Sequence, residues 1–536
     1  MAVICPHDVV NMASTMKSNE DLDESGENHE GKHPEGNLLH FEPEVAVESM
    51  LVPTDSFESF EQEAPAGSAS LQPDSNLLKC QNTEENTPDK VARDTDTNVA
   101  SRSISELSLV SEECIEHQHV EEELSNSKEW RSQEKHIFIL SSAGKPIYSR
   151  HGSEDKLVTL FGVMQALVSF IGDDGDTIRS IHTQGTSFLF LIKGPIILAC
   201  VYKSRESVAQ ITVQLNYVYS QIVSVLTLEQ LTRIFEQRRN YDLRRLLAGA
   251  ERLIDHLLIA LETQPALLLG AVQCLPLVST TRDAITNVIV SSCNKIKKLV
   301  FAILVGGNQL VTLIRMKNFF LHPADLHLIL NLVNSSESFK AAESWTPICL
   351  PKFSSDGFLH AHVSYLAEDC QACLLLLTVD PDLFFPLSEA KQKIVEKLRR
   401  ASLLQSINAA LAHTGTPVSQ LGVPEARHFL YKCKATAQFW GPVPAPPYQT
   451  TEGAKRLLDQ YRVLHHRLHA PAQPLKLLYL QDNAETMLGW VTTGFELYVA
   501  FEPLVTKANA IGAVNKIVRW IKKDDNGLFI TNAPTF

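Results

Sequence analysis

The sequence lacks the features that mark secreted and membrane-spanning proteins. Its 10 cysteines among 536 residues are scattered rather than spaced as a disulfide framework, which favours a reduced, cytosolic protein. The first residues, MAVICPHDVVNM, have aspartate and histidine where a secretory signal needs an apolar core, so we expect no secretion. The most apolar long window, 253–275, contains Asp255, His256 and Glu262, which a bilayer accepts only at considerable cost. We therefore predict no membrane span.

Catalytic signatures are missing as well. The motifs G-x-x-x-x-G-K-[ST], G-x-G-x-x-G, H-E-x-x-H and G-x-S-x-G do not occur, so we expect neither covalent catalysis nor a cofactor. Cys370 and Cys373 form a lone C-x-x-C pair, for which half-buried thiols entering a strand are favoured over a zinc or redox site. His465, His466 and His469 have the residue type of metal ligands, but a solvated position on the exposed face of a basic helix is favoured over ligation. No metal site is predicted.

Charge is distributed unevenly along the chain. Residues 1–135 contain 30 acidic and 9 basic side chains, a net charge of −21, whereas the remaining 401 residues carry about +7. Only 26 of those first 135 residues are Leu, Ile, Val or Phe, which together with the charge predicts a disordered acidic tail over 1–134. A charge of +7 over 401 residues is too dilute to indicate nucleic-acid binding.

The acidic tail has two interpretations. It is an inert spacer, or it folds back over basic docking surfaces and weakens partner or membrane binding. Within it, residues 101–113 are either linker or a short docking element. Phosphorylation would add negative charge and tune such a contact; the candidate sites are Ser101, Ser103, Ser105, Ser108 and Ser111.

One order of elements recurs three times after the tail. In the first copy, short strands around two amphipathic helices (154–171 and 207–227) give the order strand-strand-helix-strand-strand-strand-helix, and helical sequence continues to 267. The second copy begins at 299 and the third at 429, where 429–439 is interpreted as a single strand. This repetition predicts an α+β protein of three domains, each a five-stranded antiparallel sheet with flanking helices. The predicted boundaries are a tail at 1–134, domains at 135–265, 298–406 and 425–536, a helical linker at 266–297 and a second linker at 407–424.

Four long segments allow a family to be named. They are HIFILSSAGKPIYSRHG (136–152), RSIHTQGTSFLFLIKGPIILACVYKSRES (179–207), QRRNYDLRRLLAGAERLIDHLL (237–258) and VDPDLFFPLSEAKQKI (379–394). They closely resemble the SAND family, the Mon-one type vacuolar fusion proteins, and the resemblance covers about residues 135–536. The length and the acidic leader resemble an animal paralogue.

The resemblance implies a fold, partners and a function. Members of the family consist of three longin-like domains and pair with a Ccz-one type longin subunit. The pair is a guanine nucleotide exchange factor for a late-endosomal Rab GTPase of the Rab-seven class, which drives early-to-late endosome maturation and fusion with the vacuole or lysosome. An early-endosomal Rab of the Rab-five class and phosphoinositide-bearing, anionic membranes recruit it. The resemblance thus implies a cytoplasmic protein that is recruited peripherally to endosomal membranes.

The predicted helix 154–171 is the strongest surface feature in the sequence. Its apolar side chains cover more than the single face that a sheet would bury, and only a narrow polar stripe interrupts them. The excess indicates a partner surface, or alternatively burial under the 228–267 helices of the same chain. The predicted partner and GTPase interface comprises Lys156, Thr159, Gly162, Val163, Gln165, Ser169, Phe170, Phe188 and Phe190.

Basic clusters offer a second kind of surface. Arginine forks suit carboxylates and phosphates, so docking on an acidic partner, a lipid headgroup or the acidic tail is one interpretation, and a solvated helix face with internal ion pairs is the other. Several such clusters on one face would dock on an anionic bilayer. The predicted docking residues are Arg238, Arg239, Arg244, Arg245, Lys295, Lys297, Lys298, Lys516, Arg519, Lys522 and Lys523.

Two functions remain open from the sequence. The favoured one is a subunit of the exchange factor, acting by binding and without covalent chemistry. The alternative is a longin-fold trafficking scaffold or adaptor that binds peptides or SNAREs without promoting nucleotide exchange, because longin-type folds serve both uses.

Overall fold

The computed structural model describes residues 2–3, 128–413, 415–532 and 534–536. The predicted disorder of the acidic tail, its possible autoinhibitory contact and its candidate phosphorylation sites therefore lie outside the described residues. The backbone of β1 (Ala2–Val3) pairs antiparallel with the strand Leu477–Gln481.

The last residues that were assigned to the tail belong instead to the folded part. Helix α1 (Lys128–Ser132) precedes the first sheet, and the Trp130 ring stacks on His136 with 3.9 Å between ring centroids. The Trp130 indole N–H also donates to the carbonyl oxygen of His151 at 2.9 Å. The predicted boundary at 134 was wrong for this segment because one aromatic residue is enough to anchor a short, highly charged helix.

The first domain has the predicted order of elements. Its five strands form one antiparallel sheet in the order β3–β2–β6–β5–β4. Alternate residues of β2 face opposite sides, so that Phe138 packs towards helix α2 and Ile139 towards helix α3. The elements are β2 (Lys135–Ser141), β3 (Pro146–Ser149), a 3₁₀ turn (Glu154–Leu157), α2 (Val158–Asp173), β4 (Ser180–Thr183), β5 (Thr186–Lys193), β6 (Ile196–Tyr202) and α3 (Val208–Leu226).

A helical extension follows and covers the α3 side of this sheet. Its apolar side chains share one core with α3 and with the Ile139 face of β2. The extension therefore lies on the opposite side of the sheet from α2. Its helices are α4 (Leu228–Gln237), α5 (Arg244–Leu247), α6 (Glu251–Thr263) and α7 (Pro265–Leu269).

The second domain is a five-stranded antiparallel sheet with both faces buried, in the order β10–β11–β12–β8–β9. Along β12, Leu375 and Leu377 enter one core, whereas Leu374 and Leu376 enter the other. Helix α8 (Ser279–Cys293), which falls in the predicted linker 266–297, packs in the second of these cores and is part of the domain. The other elements are β8 (Leu299–Gly306), β9 (Gln309–Arg315), α9 (Pro323–Ser335), α10 (Ser338–Ala341), β10 (Ser344–Leu350), β11 (Ser354–Ala367), β12 (Cys370–Thr378), α11 (Phe384–Arg400) and α12 (Leu403–Ala412).

The third domain adds two short strands to its own five. Its sheet has the order β1–β15–β16–β17–β13–β14–β7, in which β7 (Val272–Gln273) comes from the predicted linker and pairs parallel with β14. A 3₁₀ turn, Val418–Leu421, also comes from a predicted linker and packs in this domain's core. The other elements are β13 (Ala426–Cys433), β14 (Gln438–Trp440), α13 (Thr451–Leu468), β15 (Leu477–Gln481), β16 (Thr486–Val491), β17 (Phe495–Phe501), α14 (Lys507–Lys523) and α15 (Asp525–Leu528).

One strand prediction was wrong in the third domain. Residues 429–439 form the hairpin of β13 and β14 rather than a single strand. The chain turns at 434–437, where Ala437 has a φ of 49°. The sequence KATA contains none of the Gly, Pro, Asn or Asp residues that usually signal a turn, so the pattern gave no warning. The predicted α+β class with three sheets is otherwise confirmed.

Candidate interaction surface

Helix α2 packs on the first sheet through one face only. Phe161 and Met164 are buried, and the Phe161 ring meets Phe138 of β2 edge-on with centroids 5.6 Å apart. Phe190 of β5 lies in the same core and is only 5% exposed. Its predicted place in a partner interface was therefore wrong, because its side chain fills the space between sheet and helix. Phe188, two residues earlier on β5, is half-buried.

The opposite face of α2 is apolar and open to solvent. The exposed fractions are 56% for Val158, 52% for Val163, 37% for Leu167 and 69% for Phe170. The alternative of burial under the 228–267 helices is wrong for the described residues, since those helices cover the other side of the sheet. An exposed apolar surface of this kind is typical of a protein or membrane contact.

The same helix is the one segment of the described chain that is long and apolar enough to cross a membrane. Residues Glu154–Asp173 reach a mean hydropathy of 1.4 over 18 residues. The expectation of no membrane span considered only the window 253–275, which folds as α6, α7 and the segment that follows them. Length and composition alone do not separate a span from a surface helix, but Phe161 and Met164 attach α2 to a sheet.

The polar stripe of α2 includes a structural contact. The Gln165 amide donates to the carbonyl oxygen of Ser142 at 2.7 Å and to the Ser169 hydroxyl at 3.0 Å. It thereby holds the turn between β2 and β3, where Gly144 lies close against the Gln165 side chain and has a φ of 79°, which other residues rarely adopt. Gly162, by contrast, faces open space. Lys156 and Thr159 are exposed at the start of the helix.

The arginine segment 238–245 lies beside this end of α2. The Arg244 guanidinium is 3.4 Å from the Asp155 carboxylate, at the start of the helix, and also binds Asp242. The Lys145 ammonium of the β2–β3 turn donates to the carbonyl oxygen of Asn240 at 2.8 Å. The hydrogen bond from Arg244 lowers the pKa of the Asp242 carboxyl. Arg238, Arg239 and Arg245 remain exposed.

The structure thus brings two of the predicted surfaces together. We call the exposed face of α2, the turn 142–145 and the segment 238–245 the α2 surface.

The other predicted basic residues lie on the second and third domains. Lys295, Lys297 and Lys298 precede β8, with the Lys298 ammonium 3.2 Å from Asp380, and Lys516, Arg519, Lys522 and Lys523 line the exposed face of α14.

Comparison with known proteins identifies the fold family. Three sequence profiles match, described as the first, second and third longin domains of FUZ, MON1 and HPS1, over residues 135–257, 297–396 and 425–525. Protein SAND of Takifugu rubripes is 48% identical over 437 residues, which cover 80% of this chain and 84% of that protein. The chain belongs to the MON1/SAND family. The predicted resemblance and the three longin domains are confirmed.

Two further relatives represent two types within the MON1/SAND family, homolog A and homolog B. The vacuolar fusion protein MON1 homolog A of Gallus gallus is 48% identical over 416 residues, covering 78% of this chain and 75% of that protein. Homolog B of Homo sapiens is 41% identical over 431 residues, covering 77% and 78%. The chain is thus more similar to this A-type relative than to this B-type relative.

A second exposed apolar site on this MON1-family chain was missed by the sequence reasoning. Phe385, at the start of α11, is 76% exposed, while its neighbour Phe384 packs edge-on against Trp345 with centroids 5.9 Å apart. The available signal was the FF pair in VDPDLFFPLSEAK, because two adjacent helical residues cannot both face the core.

Two of the three histidines at the end of α13 (Thr451–Leu468) also depart from expectation. His466 is exposed, but His465 and His469 face the sheet, with the His469 Nε2 atom 3.1 Å from the Tyr498 hydroxyl. Burial lowers the pKa of His465 to about 3. His465 lies four residues after the buried Tyr461 and three before the buried Leu468, and this spacing was the missed signal, since the helix repeat turns His465 inward. Cys370 and Cys373 are buried thiols, and burial raises the pKa of Cys373 to about 12.

Proposed function

We propose that this protein is a subunit of a heterodimeric guanine nucleotide exchange factor for a late-endosomal Rab GTPase of the Rab-seven class. The relatives named vacuolar fusion proteins support a role in fusion with the vacuole or lysosome, and the proposed exchange activity would act there in endosome maturation. A Ccz-one type longin subunit is the proposed partner. An early-endosomal Rab and anionic, phosphoinositide-bearing membranes are the proposed recruiters, with the basic residues on the second and third domains as candidate contacts.

The observation that carries the proposal is the α2 surface. The surface combines an exposed apolar helix face, which packs on a longin sheet, with exposed arginines beside it. Such a surface suits the recognition of a second folded protein. An exchange factor needs no reacting groups, because it accelerates release by binding the nucleotide-free GTPase more tightly than the loaded one. A tenfold faster release needs only about 1.4 kcal/mol of such preference.

The face of α2 can be tested without disturbing the fold. Val163 and Phe170 are both more than half exposed, so Val163→Asp with Phe170→Asp should change the free energy of unfolding by no more than about 0.5 kcal/mol per site. In a desolvated interface the same changes should cost more than about 2 kcal/mol, or about thirtyfold in affinity. The matched control is Leu504→Asp, which alters a side chain of the third domain that is 89% exposed.

The assay is release of fluorescent GDP from a Rab-seven class GTPase by the reconstituted pair, together with the affinity of the two subunits. We expect the wild-type pair and the Leu504→Asp pair to accelerate release and the double variant to lose partner binding or acceleration. If the wild-type pair binds the GTPase without accelerating release, the adaptor alternative replaces exchange. If the double variant keeps both activities, the α2 surface is not the interface.

A further inference from the structure

A group of metal-ligating side chains lies between α13 and β17 in the third domain. His465 and His469 are one helical turn apart, and their ring centroids are separated by 4.4 Å. The buried carboxylate of Glu496 faces them from β17. One ligand atom of each residue lies within 4.8 Å of the ligand atoms of the other two.

The distances suit a small tetrahedral cation. The His469 Nε2 atom is 3.4 Å from the Glu496 Oε2 atom. Two ligands of a tetrahedral zinc ion, with bonds of about 2.0–2.1 Å, are separated by about 3.4 Å. Two histidines and one glutamate are also a donor set that zinc accepts when a water molecule fills the fourth position. We propose that His465, His469 and Glu496 bind a zinc-class divalent cation.

The surroundings provide the outer contacts that such a site needs. The Tyr498 hydroxyl donates to Glu496 Oε2 at 2.7 Å, and the Lys432 ammonium is 3.4 Å from Glu496 Oε1. Both contacts orient the carboxylate, and the oxygen that faces His469 keeps a second lone pair for a metal beside the hydrogen bond from Tyr498. Because Lys432 also balances part of the negative charge, the site binds zinc less tightly than a cysteine-based structural site.

A cation can reach the two histidines from solvent. A cavity of about 140 Å³ lies where α3, the α6–α7 segment and α13 meet, and His465 and His469 line it together with Arg462. Bound zinc would attach the end of α13 to β17. It would thereby stabilise the third domain beside its contact with the first domain.

The competing explanation is a purely internal hydrogen-bond network. Without an ion, the same histidine, tyrosine, lysine and glutamate satisfy one another, and nothing further is needed to hold them. The two explanations differ in one measurable property, which is the binding of zinc that depends on His465 and His469.

The test uses the full chain after treatment with a chelator and dialysis. Equilibrium dialysis with zinc or magnesium is followed by elemental analysis, and cobalt substitution reports tetrahedral geometry by its visible absorption. We expect zinc and not magnesium to bind, and His469→Gln to lose about one equivalent and the cobalt spectrum. His465→Asn should do the same. His466→Ala, which alters the exposed neighbour on the same helix, should bind as the wild type does.

Comparison between variants separates this site from zinc held elsewhere by the chain's 19 histidines. Glutamine at 469 keeps a polar group for the Tyr498 hydroxyl, so His469→Gln is expected to retain the melting temperature of the metal-free wild type. Zinc should raise the melting temperature of the wild type and of His466→Ala but not of His469→Gln. Equal zinc stoichiometry in all four proteins, or zinc bound no better than magnesium, would overturn the proposal.

Discussion

Arg462 of α13 ties the third domain to the first, and its loss should loosen that contact. The guanidinium donates to the carbonyl oxygens of Leu261 and Glu262, each at 3.0 Å, and its Nε atom is 3.6 Å from the buried Glu206 carboxylate. Its ion pair with the half-exposed Asp459 adds little. Arg462→Ala leaves two carbonyls without a donor and weakens the neutralisation of a buried charge. The expected cost is about 3–5 kcal/mol of unfolding free energy.

Denaturant unfolding and amide hydrogen exchange measure this effect separately. We expect an earlier unfolding transition and faster exchange at the end of α6 and along α13, with the second domain unchanged. Because a chain of three domains need not unfold in one step, the exchange data decide which contact was lost. The control is Arg467→Ala, a partly exposed arginine of the same helix, which should behave as the wild type. A cost below about 1 kcal/mol for Arg462→Ala would refute the assignment of this contact as an anchor.

Further predictions concern pH and packing. Burial raises the pKa of Asp325 to about 7, although two backbone N–H groups donate to its carboxylate. The native state therefore holds a proton that the unfolded chain releases near pH 4, so this group makes stability fall as pH rises from about 4 to 7. Asp325→Asn should remove that decline in urea midpoints, and equal pH dependence in both proteins would contradict it. Gly489→Ala should lower stability by about 1–3 kcal/mol, because a Cβ there would overlap the Leu468 side chain and press on Leu464. Gly512→Ala, in open space inside α14, should instead raise it by about 0.5–1 kcal/mol, and urea unfolding measures both changes.

Periodicity was sufficient to predict the architecture. Strands such as β5 and β6 are apolar runs separated by Gly194 and Pro195, and helix α3 repeats its buried residues every three or four positions. These signals depend on local sequence. They agree with the folded structure because apolar side chains must cover both sides of each sheet. The repeated order then fixed the number of sheets without knowledge of any long-range contact.

Contacts between distant segments were beyond the reach of the sequence. Nothing in the pattern shows that β7, from a predicted linker, completes the third sheet, or that Lys145 meets Asn240. The excess apolar surface of helix 154–171 could be counted from its residues. Whether that surface is buried or exposed could not be predicted, because the answer depends on which side of the sheet the later helices cover. The partners of His469 were beyond reach for the same reason, since they come from β17.

The two possible uses of α2, as a membrane-inserting helix or as a fixed docking face, differ in what they require of the first domain. Leaving the sheet would expose Leu157, Phe161 and Met164, which are each no more than 3% exposed, and would open the face of the sheet that contains Phe138. Burial of each such side chain contributes about 1.5–3 kcal/mol, so the sum is comparable with the stability of a whole domain. The outer residues need no such rearrangement to be covered, because Val163 and Phe170 already face solvent. A partner that approaches the folded domain therefore gains the exposed apolar area at no structural cost, and that asymmetry favours docking on α2 over its insertion.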